Sequence, residues 1–344
     1  MVSIWYIFLA VIVFGVLIFI HEFGHFICAR ACGVEIKEFA IGMGPQIVGW
    51  TSKKYQTKYS LRLLPIGGYV SMLGEDEDSD SENAFNNKSV WKRLIIISAG
   101  PLMNLILGFI VMVITVCLVG TLYSNTIYYP NDNVAVSQSY GLQDGDTIIK
   151  VENTRVHTWH ELSYEIMNKG FEPVDITIKR NDEKIELKNV VFPTMQASDI
   201  VYGEVDFYPT TEDFNVINVL KHGFFRSLST VKMVIDSFVD LLSGRYGIEA
   251  MSGPVGITQT IGDFASKGLY YFLHIFVIIT INLGVFNLFP IPALDGGRLL
   301  FLLIEAIIGR PLNRKVEGYI HFIGLILMLG LVLLVTFNDI LRLF

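Results

Sequence analysis

The chain has 344 residues, of which 52% are hydrophobic, and its mean hydropathy is +0.49. This composition excludes an ordinary soluble protein and predicts a membrane protein with several spans. The formal net charge of −7 gives no indication of a nucleic-acid partner. The cysteines show no pattern of a disulfide framework or of a paired zinc motif. We therefore interpret all three as free thiols or packing residues: Cys28, Cys32 and Cys117.

Four apolar runs reach the length of about 20 residues that a membrane-spanning helix needs. They cover roughly residues 4–27, 94–122, 271–290 and 320–341. The first run is not typical of a cleaved signal peptide, because it lacks a basic start and is long enough to span. The third run is interrupted by Asn282 and Asn287 and ends at LFPIP. Such a broken helix requires protein or water to satisfy its freed backbone groups.

Basic residues near the ends of short loops predict the orientation of the chain in the membrane. The loop between spans one and two carries Lys88, Lys92 and Arg93, and the loop between spans three and four carries Arg298, Arg310, Arg314 and Lys315, so both loops are expected to be cytoplasmic. The segment 123–270 carries more acidic than basic residues. We therefore expect this segment and both termini to be extracytoplasmic, and the end of the first span to lie near the cytoplasmic face.

The connecting segments predict three further regions. YSLRLLPIGGYVSM alternates apolar and polar residues around a Pro-Ile-Gly-Gly break, which predicts a short membrane-associated β-hairpin at about 55–74. The acidic run 75–83 is interpreted as a solvated, flexible loop. The membrane core would thus comprise residues 1–122, and 271–344 would hold the last two spans.

Residues 127–208 are predicted to form one small α+β domain. Within it, Thr158 and Glu161 have the spacing of a capping box at a helix start, and Asn181-Asp182 marks a hairpin turn. Residues 209–270 would then be a linker and an amphipathic helix at 217–243. This helix could lie on the membrane surface or pack beside the spans.

The sequence HEFGH ends the first apolar run. On a helix, His21 and His25 project from one face at the spacing of a zinc site, and Glu22 lies where it can take a proton from a bound water. A bound metal would lower the pKa of that water to about 7. Ionisable residues inside a span are costly and are usually functional. The motif therefore predicts a catalytic metal site.

A catalytic zinc site usually needs a third protein ligand. The five other histidines are interpreted as surface or helix-end residues: His157, His160, His222, His274 and His321. Asp295 in NLFPIPALDGGR is a better candidate, because it follows the broken third span at the same predicted membrane face. The glycines after it would allow close approach of another element, although Asp-Gly-Gly is more often a simple turn.

HEFGH together with NLFPIPALDGG resembles the site-2 protease family of intramembrane zinc metalloproteases, and most closely its bacterial RseP/RasP type. Five more segments resemble family segments in the same order: AIGMGP, LRLLPIGGYVSMLGE, FNNKSVWKR, SAGPLMN and SGPVGI. GLQDGDTIIKVEN resembles the start of a PDZ domain. The implied fold is an α-helical polytopic membrane protein with about four transmembrane helices, a membrane-associated β-hairpin and one inserted extracytoplasmic PDZ-like α+β domain.

The resemblance implies three zinc ligands and one catalytic acid/base: His21, His25, Asp295 and Glu22. It implies that five further residues receive the substrate: Asn287, Pro290, Pro292, Gly67 and Gly68. The implied activity is cleavage of transmembrane segments in single-span proteins of the bacterial plasma membrane, such as anti-sigma factors already trimmed outside, or of remnant signal peptides. One PDZ-like domain fits where the enterobacterial pattern has two, so the chain resembles the short Gram-positive branch.

Two other classes of function remain open from the sequence. One is a catalytically silent scaffold that binds partners through its PDZ-like domain, for which loss of Glu22 would be the expected sign. The other is a metal transporter, for which polar residues should be spread through the spans. Glu22 is present, and the second and fourth spans carry almost no polar residues. Hydrolysis is therefore the favoured interpretation.

Overall fold

A computed structural model describes residues 4–75, 77, 79–130, 135–197, 200–245, 247 and 251–342. Residues 1–3 and 343–344 of the predicted membrane segments, and 131–134 and 198–199 of the predicted outer domain, lie outside these ranges. The chain divides into two compact units. We call Met1–Val111 with Val231–Phe344 the membrane unit, and Met112–Thr230 the sheet unit.

The described residues form helices and antiparallel strands. The helices are α1 Ile4–Ala31, α2 Val90–Val119, α3 Trp159–Lys169, α4 Val216–Leu242, α5 Pro254–Ser266, α6 Leu269–Leu288, α7 Asp295–Ile308 and α8 Arg314–Leu341. The strands are β1 Ile36–Thr51, β2 Lys58–Met72, β3 Leu122–Tyr128, β4 Thr147–Val151, β5 Thr154–Arg155, β6 Val174–Arg180, β7 Glu183–Val190, β8 Thr194–Ala197, β9 Ile200–Gly203 and β10 Tyr208–Glu212.

Four of the helices in the described part of the chain, α1, α2, α6 and α8, are long and apolar enough to cross a membrane. This confirms the prediction of a polytopic membrane protein. Helix α8 begins at Arg314, six residues before the predicted run, and Asn313 caps it by accepting a hydrogen bond from the Lys315 backbone N–H. The helix starts earlier than the apolar run because its cap and its backbone hydrogen bonds also include polar residues. A prediction from apolar residues alone misses this polar first part.

Strands β1 and β2 form an antiparallel pair whose connection is residues 52–57. The predicted hairpin, with its break at Pro-Ile-Gly-Gly, is therefore wrong in detail, because Gly68 lies within β2 and pairs with Ile41. The first part of β1, residues 36–41, pairs with 68–72 on one side and with 58–61 on the other. This arrangement requires β1 to bend, and Gly42 and Gly44 there have positive φ angles of 86° and 81°.

Two helices of the membrane unit were not expected from the sequence. Helix α5 begins with a proline at its first turn, a position where proline is well tolerated. Helix α7 begins at Asp295, so the interpretation of Asp-Gly-Gly as a simple turn is wrong. Glycines are poor helix formers, and this tertiary arrangement overrides that preference.

The sheet unit is built on a central antiparallel sheet with the strand order β10-β3-β4-β6-β7, to which β5 adds beside β4. Helix α3 starts with the predicted reciprocal capping by Thr158 and Glu161. Strands β6 and β7 form the predicted hairpin, and Asn181 and Asp182 adopt the positive φ angles of a tight turn. Because β3 pairs with β10, the sheet extends beyond residues 127–208 at both ends.

The main apolar core of the sheet unit lies at its central sheet, and a smaller cluster is formed by Val116, Leu122 and Val219. The members of the main core are almost completely buried: Ile127, Leu142, Ile148, Val151, Val156, Leu162, Ile166, Val174, Ile176, Ile178, Val190, Phe192 and Phe207. They come from strands, from α3 and from the loops between them, so alternate residues along the strands point to one side.

Candidate metal and catalytic site

Three potential metal-ligating side chains meet in the membrane unit. His21 and His25 lie one turn apart on α1, and their Nε2 atoms are 3.2 Å apart. The Oδ2 atom of Asp295, at the start of α7, lies 3.0 Å from Nε2 of His21 and 3.3 Å from Nε2 of His25. The tertiary structure thus brings together two residues of the first span and one residue that follows the third.

Helices α1 and α2 approach each other closely at this point because both carry glycine there. A Cβ atom on Gly24 would lie 2.4 Å from the carbonyl oxygen of Ala99, and a Cβ on Gly100 would lie 2.3 Å from Nε2 of His25. His25 is 7% exposed, and its Nδ1 donates a hydrogen bond of 2.8 Å to the carbonyl oxygen of Ile96. These contacts hold the His25 imidazole in a fixed orientation.

Glycines also set the position of Asp295. A Cβ atom on Gly296 would lie 1.9 Å from the carbonyl oxygen of Phe289, and one on Gly297 would lie 2.6 Å from that of Ile291. The first turn of α7 can therefore pack directly against the chain that leaves α6. The close approach predicted for these glycines is present.

Polar contacts of α7 and of the loop before it add to this arrangement. The backbone N–H of Ala293, a residue with a positive φ of 75°, donates to Nδ1 of His321 over 2.9 Å. Arg298 forms an ion pair with Glu75, and Arg93 forms one with Glu305. Glu75 is 11% exposed, so the interpretation of 75–83 as a solvated run is wrong for its first residue. Asp76 and Asp78 lie outside the described residues.

The three side chains face a cavity of about 400 Å³. Its lining residues are His21, Glu22, His25, Tyr69, Val70, Ser71, Met72, Glu75, Ile97, Asp295 and Arg298. Glu22 therefore shares the cavity with the three potential ligands, and residues 69–72 of β2 form one wall. Gly68 lies against Glu22, since a Cβ atom there would be 3.3 Å from its Cγ.

The donor set fits a catalytic zinc ion. Two imidazole nitrogens and one carboxylate oxygen are the ligands that zinc accepts at sites that keep an open position for water or substrate. His25 uses Nδ1 to donate to Ile96, which leaves a lone pair on Nε2. The potential ligand atoms of the three side chains all lie within 4.8 Å of one another, which is close enough for one divalent cation to contact all of them.

Some predicted site residues lie elsewhere in the membrane unit. Asn287 lies in the last turn of α6, and Pro290 and Pro292 follow that helix. The described residues that line the cavity do not include these three, and a Cβ on Gly324 of α8 would meet Pro292. Gly67 has a φ of 89° and lies against Met43.

Among the other histidines, His157 stacks on Phe225, and His222 lies 2.7 Å from a carboxylate oxygen of Glu212, all within the sheet unit. His321 accepts a hydrogen bond from Ala293 in the loop before α7, so its interpretation as a simple helix-end residue was incomplete. Sequence reasoning also missed Asn104, although it ends the segment SAGPLMN that resembles the family.

The chain is similar to known proteins over almost its whole length. The family model of peptidase family M50 matches residues 9–331. A protein of Clostridium acetobutylicum named as a zinc metalloprotease is 38% identical over 96% of both chains. The zinc metalloprotease RasP of Geobacillus kaustophilus is 31% identical over 97% of both chains. The regulator of sigma-W protease RasP of Bacillus subtilis is 29% identical over 97% of this chain and 98% of its own.

These relatives confirm the resemblance to the site-2 protease family and the prediction of a membrane zinc metalloprotease, for which Zn²⁺ is the expected cofactor. The family match covers almost all of the chain, including HEFGH and Asp295. The chain belongs to peptidase family M50.

Proposed function

We propose that this protein is a zinc-dependent intramembrane endopeptidase that cleaves transmembrane segments of single-span membrane proteins. The observation that supports this most directly is the meeting of His21, His25 and Asp295 in one cavity with Glu22. Metal-assisted hydrolysis requires three protein ligands and, beside them, a carboxylate that does not bind the metal, which here is Glu22.

In this proposal His21, His25 and Asp295 hold the zinc ion. When bound, zinc would polarise the scissile carbonyl and lower the pKa of a water molecule to about 7. Glu22 would take a proton from that water and deliver it to the leaving amine. The short distances among the three ligand side chains, fixed by Ile96 and by the glycines of α2 and α7, would keep the site in its working geometry.

Residues 68–72 of β2 would receive the substrate. They pair with β1 on one side, and residues 69–72 line the cavity. A helical substrate hides its backbone groups in its own hydrogen bonds, so it must unwind before cleavage. Adding the unwound segment to a strand edge would satisfy those groups. Gly68 would keep the space beside Glu22 open, and Gly67, Asn287, Pro290 and Pro292 are proposed to help receive the substrate.

The substrate class proposed is an anti-sigma factor already trimmed on its outer side, or a remnant signal peptide. Support comes from a relative that is named regulator of sigma-W protease, since regulation of a sigma factor is consistent with cleavage of its membrane-bound inhibitor. The membrane would be the bacterial plasma membrane, with the cavity near its cytoplasmic face. The PDZ-like domain and both termini would be extracytoplasmic, as the distribution of basic residues predicts.

The hairpin of β1 and β2 would contact the lipid bilayer. Large apolar side chains on it are exposed: Ile41, Met43, Ile47, Val48, Trp50, Leu61, Leu63 and Leu64. An exposed apolar patch of this kind is typical of a membrane or protein contact. We propose the domain plan that the sequence predicts, with a PDZ-like domain at 127–208, whose sheet extends from Leu122 to Glu212, followed by a juxtamembrane helix and linker up to residue 270.

The PDZ-like domain could capture the new carboxyl terminus of a trimmed substrate, or it could act as a steric gate. Binding of a fluorescent peptide to the full chain in detergent separates these roles. Capture requires that a free carboxyl terminus binds and that the amidated peptide does not. If neither peptide binds, the gate is favoured.

The central test is cleavage of a reporter with a signal-peptide-like span, measured beside zinc content. Glu22→Gln should reduce cleavage by about 10²–10⁴-fold and keep zinc, because it removes the proton acceptor alone. Asp295→Ala should lose zinc as well as cleavage. Glu82→Gln, at an exposed position, is the matched control and should behave as wild type. Cleavage by Glu22→Gln at the wild-type rate would overturn the assignment of the base.

A further inference from the structure

Asn104 of α2 is a fully buried amide in the membrane unit, with 0% exposure. Its side-chain Nδ2 lies 3.3 Å from Nδ1 of His21. Among the described residues its Oδ1 is buried and has no hydrogen-bond partner. A polar side chain inside a membrane span is costly and is usually functional. The burial of this amide therefore suggests a functional role, and its contact with a proposed zinc ligand indicates which one.

His25 shows what a zinc-binding histidine requires here. The carbonyl oxygen of Ile96 can only accept a hydrogen bond, so it holds the proton of His25 on Nδ1. The lone pair of the neutral imidazole is then on Nε2, which faces Asp295 and His21. A backbone group thus selects the tautomer that can bind the metal.

His21 has the same requirement but lies beside an amide instead of a carbonyl group. If the amide nitrogen of Asn104 donated to Nδ1, the proton of the neutral His21 would lie on Nε2, and that atom could not bind a metal. A half turn of the side-chain amide places Oδ1 at the same position without changing the shape of the group. In one orientation Oδ1 lacks a hydrogen-bond partner, and in the other Nδ2 lacks one, so the number of unsatisfied groups is the same. The tautomer of His21 therefore decides between the two orientations.

We propose that Asn104 is a positioning residue for His21: its amide oxygen accepts a hydrogen bond from Nδ1–H and so presents Nε2 to the zinc ion. This inference rests on the proposed zinc site. Asn104 would act on His21 as the Ile96 carbonyl acts on His25. The two histidines of HEFGH are then both oriented by α2, one by its backbone and one by a side chain.

Zinc affinity of the purified full chain, measured by competition with a chelator, tests this proposal. Asn104→Leu removes both the donor and the acceptor and should weaken zinc binding by about 10–100-fold, as loss of such outer contacts usually does. Asn104→Asp keeps an acceptor and removes the donor, so its zinc affinity should stay close to that of wild type. Thr280→Val, which removes a buried hydroxyl of α6 that bonds only within its own helix in the described structure, is the matched control and should bind as wild type.

The sign of the Asn104→Asp effect is decisive. If the amide acted as a donor, Asn104→Asp would lose affinity as Asn104→Leu does, and if it only filled space beside His21, Asn104→Leu would bind zinc as wild type does. Either result overturns the proposal. Asn104→Ala, with a smaller side chain, replaces the leucine variant if the latter does not fold. His21→Ala tests the zinc site itself: wild-type affinity there would refute the proposed function, whereas loss there with retention in Asn104→Leu refutes this inference alone.

Discussion

Both the membrane unit and the sheet unit bury apolar clusters, but the proposed zinc site in the membrane unit also depends on contacts of another kind. In the main apolar core of the sheet unit, residues such as Ile148 and Ile176 are 0% exposed. Around the proposed zinc site, by contrast, the closest contacts are made by Gly24 and Gly100, and the buried groups include His25 and Asn104.

The surroundings explain this difference. Water drives apolar side chains together in a soluble domain, and burial contributes about 25 cal/mol for each Å² of apolar surface. Between helices in lipid this driving force is absent, so small residues and buried hydrogen bonds decide which helices approach. We therefore expect the core of the sheet unit to depend on many side chains that contribute similarly, and the geometry of the proposed zinc site to depend mainly on a few close contacts. Substitutions that damage one unit should leave the other largely unaffected.

The largest effect is expected from Gly100→Val. A Cβ atom at this position would lie 2.3 Å from Nε2 of His25, so the added side chain must displace a proposed zinc ligand or push α2 away from α1. Zinc affinity should fall by about 100-fold or more, since loss of an outer contact alone typically costs about 10–100-fold. Reporter cleavage should stop. Chelator competition on the purified chain gives the affinity.

Gly15→Val is the matched control for this prediction. Gly15 lies on α1, and a Cβ atom there would have no neighbour within 4 Å. Its zinc affinity should match that of wild type. Equal losses in both variants would mean that helix approach at Gly100 does not set the geometry of the site.

A smaller and separate effect is expected from Ile176→Ala in the core of the sheet unit. Removing this fully buried side chain should destabilise the sheet unit by about 2–5 kcal/mol, through lost burial and the cavity left behind. Hydrogen exchange of β4 and β6 in the full chain should rise accordingly, while zinc affinity stays at the wild-type value.

Val201→Ala is the control for the sheet unit, because Val201 is 41% exposed on β9. It should change hydrogen exchange little. A loss of zinc affinity in Ile176→Ala as large as the change in sheet stability would contradict the independence of the two units.

The smallest effect concerns Glu38 on β1. Burial alone would raise its pKa, but hydrogen bonds from Ser60, Tyr69 and Arg62 outweigh burial and lower the pKa from 4.5 to about 2. A carboxyl group whose pKa is lowered on folding stabilises the folded chain above pH 4.5, and this contribution is lost as the pH falls toward 2. Glu38→Gln should therefore be less stable than wild type at neutral pH, and the difference should shrink on acidification.

Thermal unfolding midpoints of both proteins in detergent, measured across this pH range, test the Glu38 prediction. Glu35→Gln, at an exposed position three residues earlier, should show no comparable change. A difference between Glu38→Gln and wild type that is constant with pH would show that the carboxylate charge of Glu38 does not contribute.

The sequence by itself determined the features that depend on neighbouring residues. The spacing of His21 and His25 places both side chains on one face of any helix, whatever surrounds it. Four long apolar runs determined the spans, since the bilayer fixes their length. The capping of α3 by Thr158 and Glu161 was predictable for the same reason, because its hydrogen bonds join residues three positions apart.

Only the tertiary structure decided the features that depend on distant residues. It placed Oδ2 of Asp295 3.0 Å from Nε2 of His21. It also paired the first part of β1 with two separate segments of β2 and started a helix at Asp-Gly-Gly. Glycine carries no side chain to mark its partner, so the sequence alone did not indicate which element would approach Gly100 or Gly296. The burial of Asn104 beside His21 arises from the packing of α1 on α2, and hydrogen bonds across such a contact have no fixed spacing along the chain.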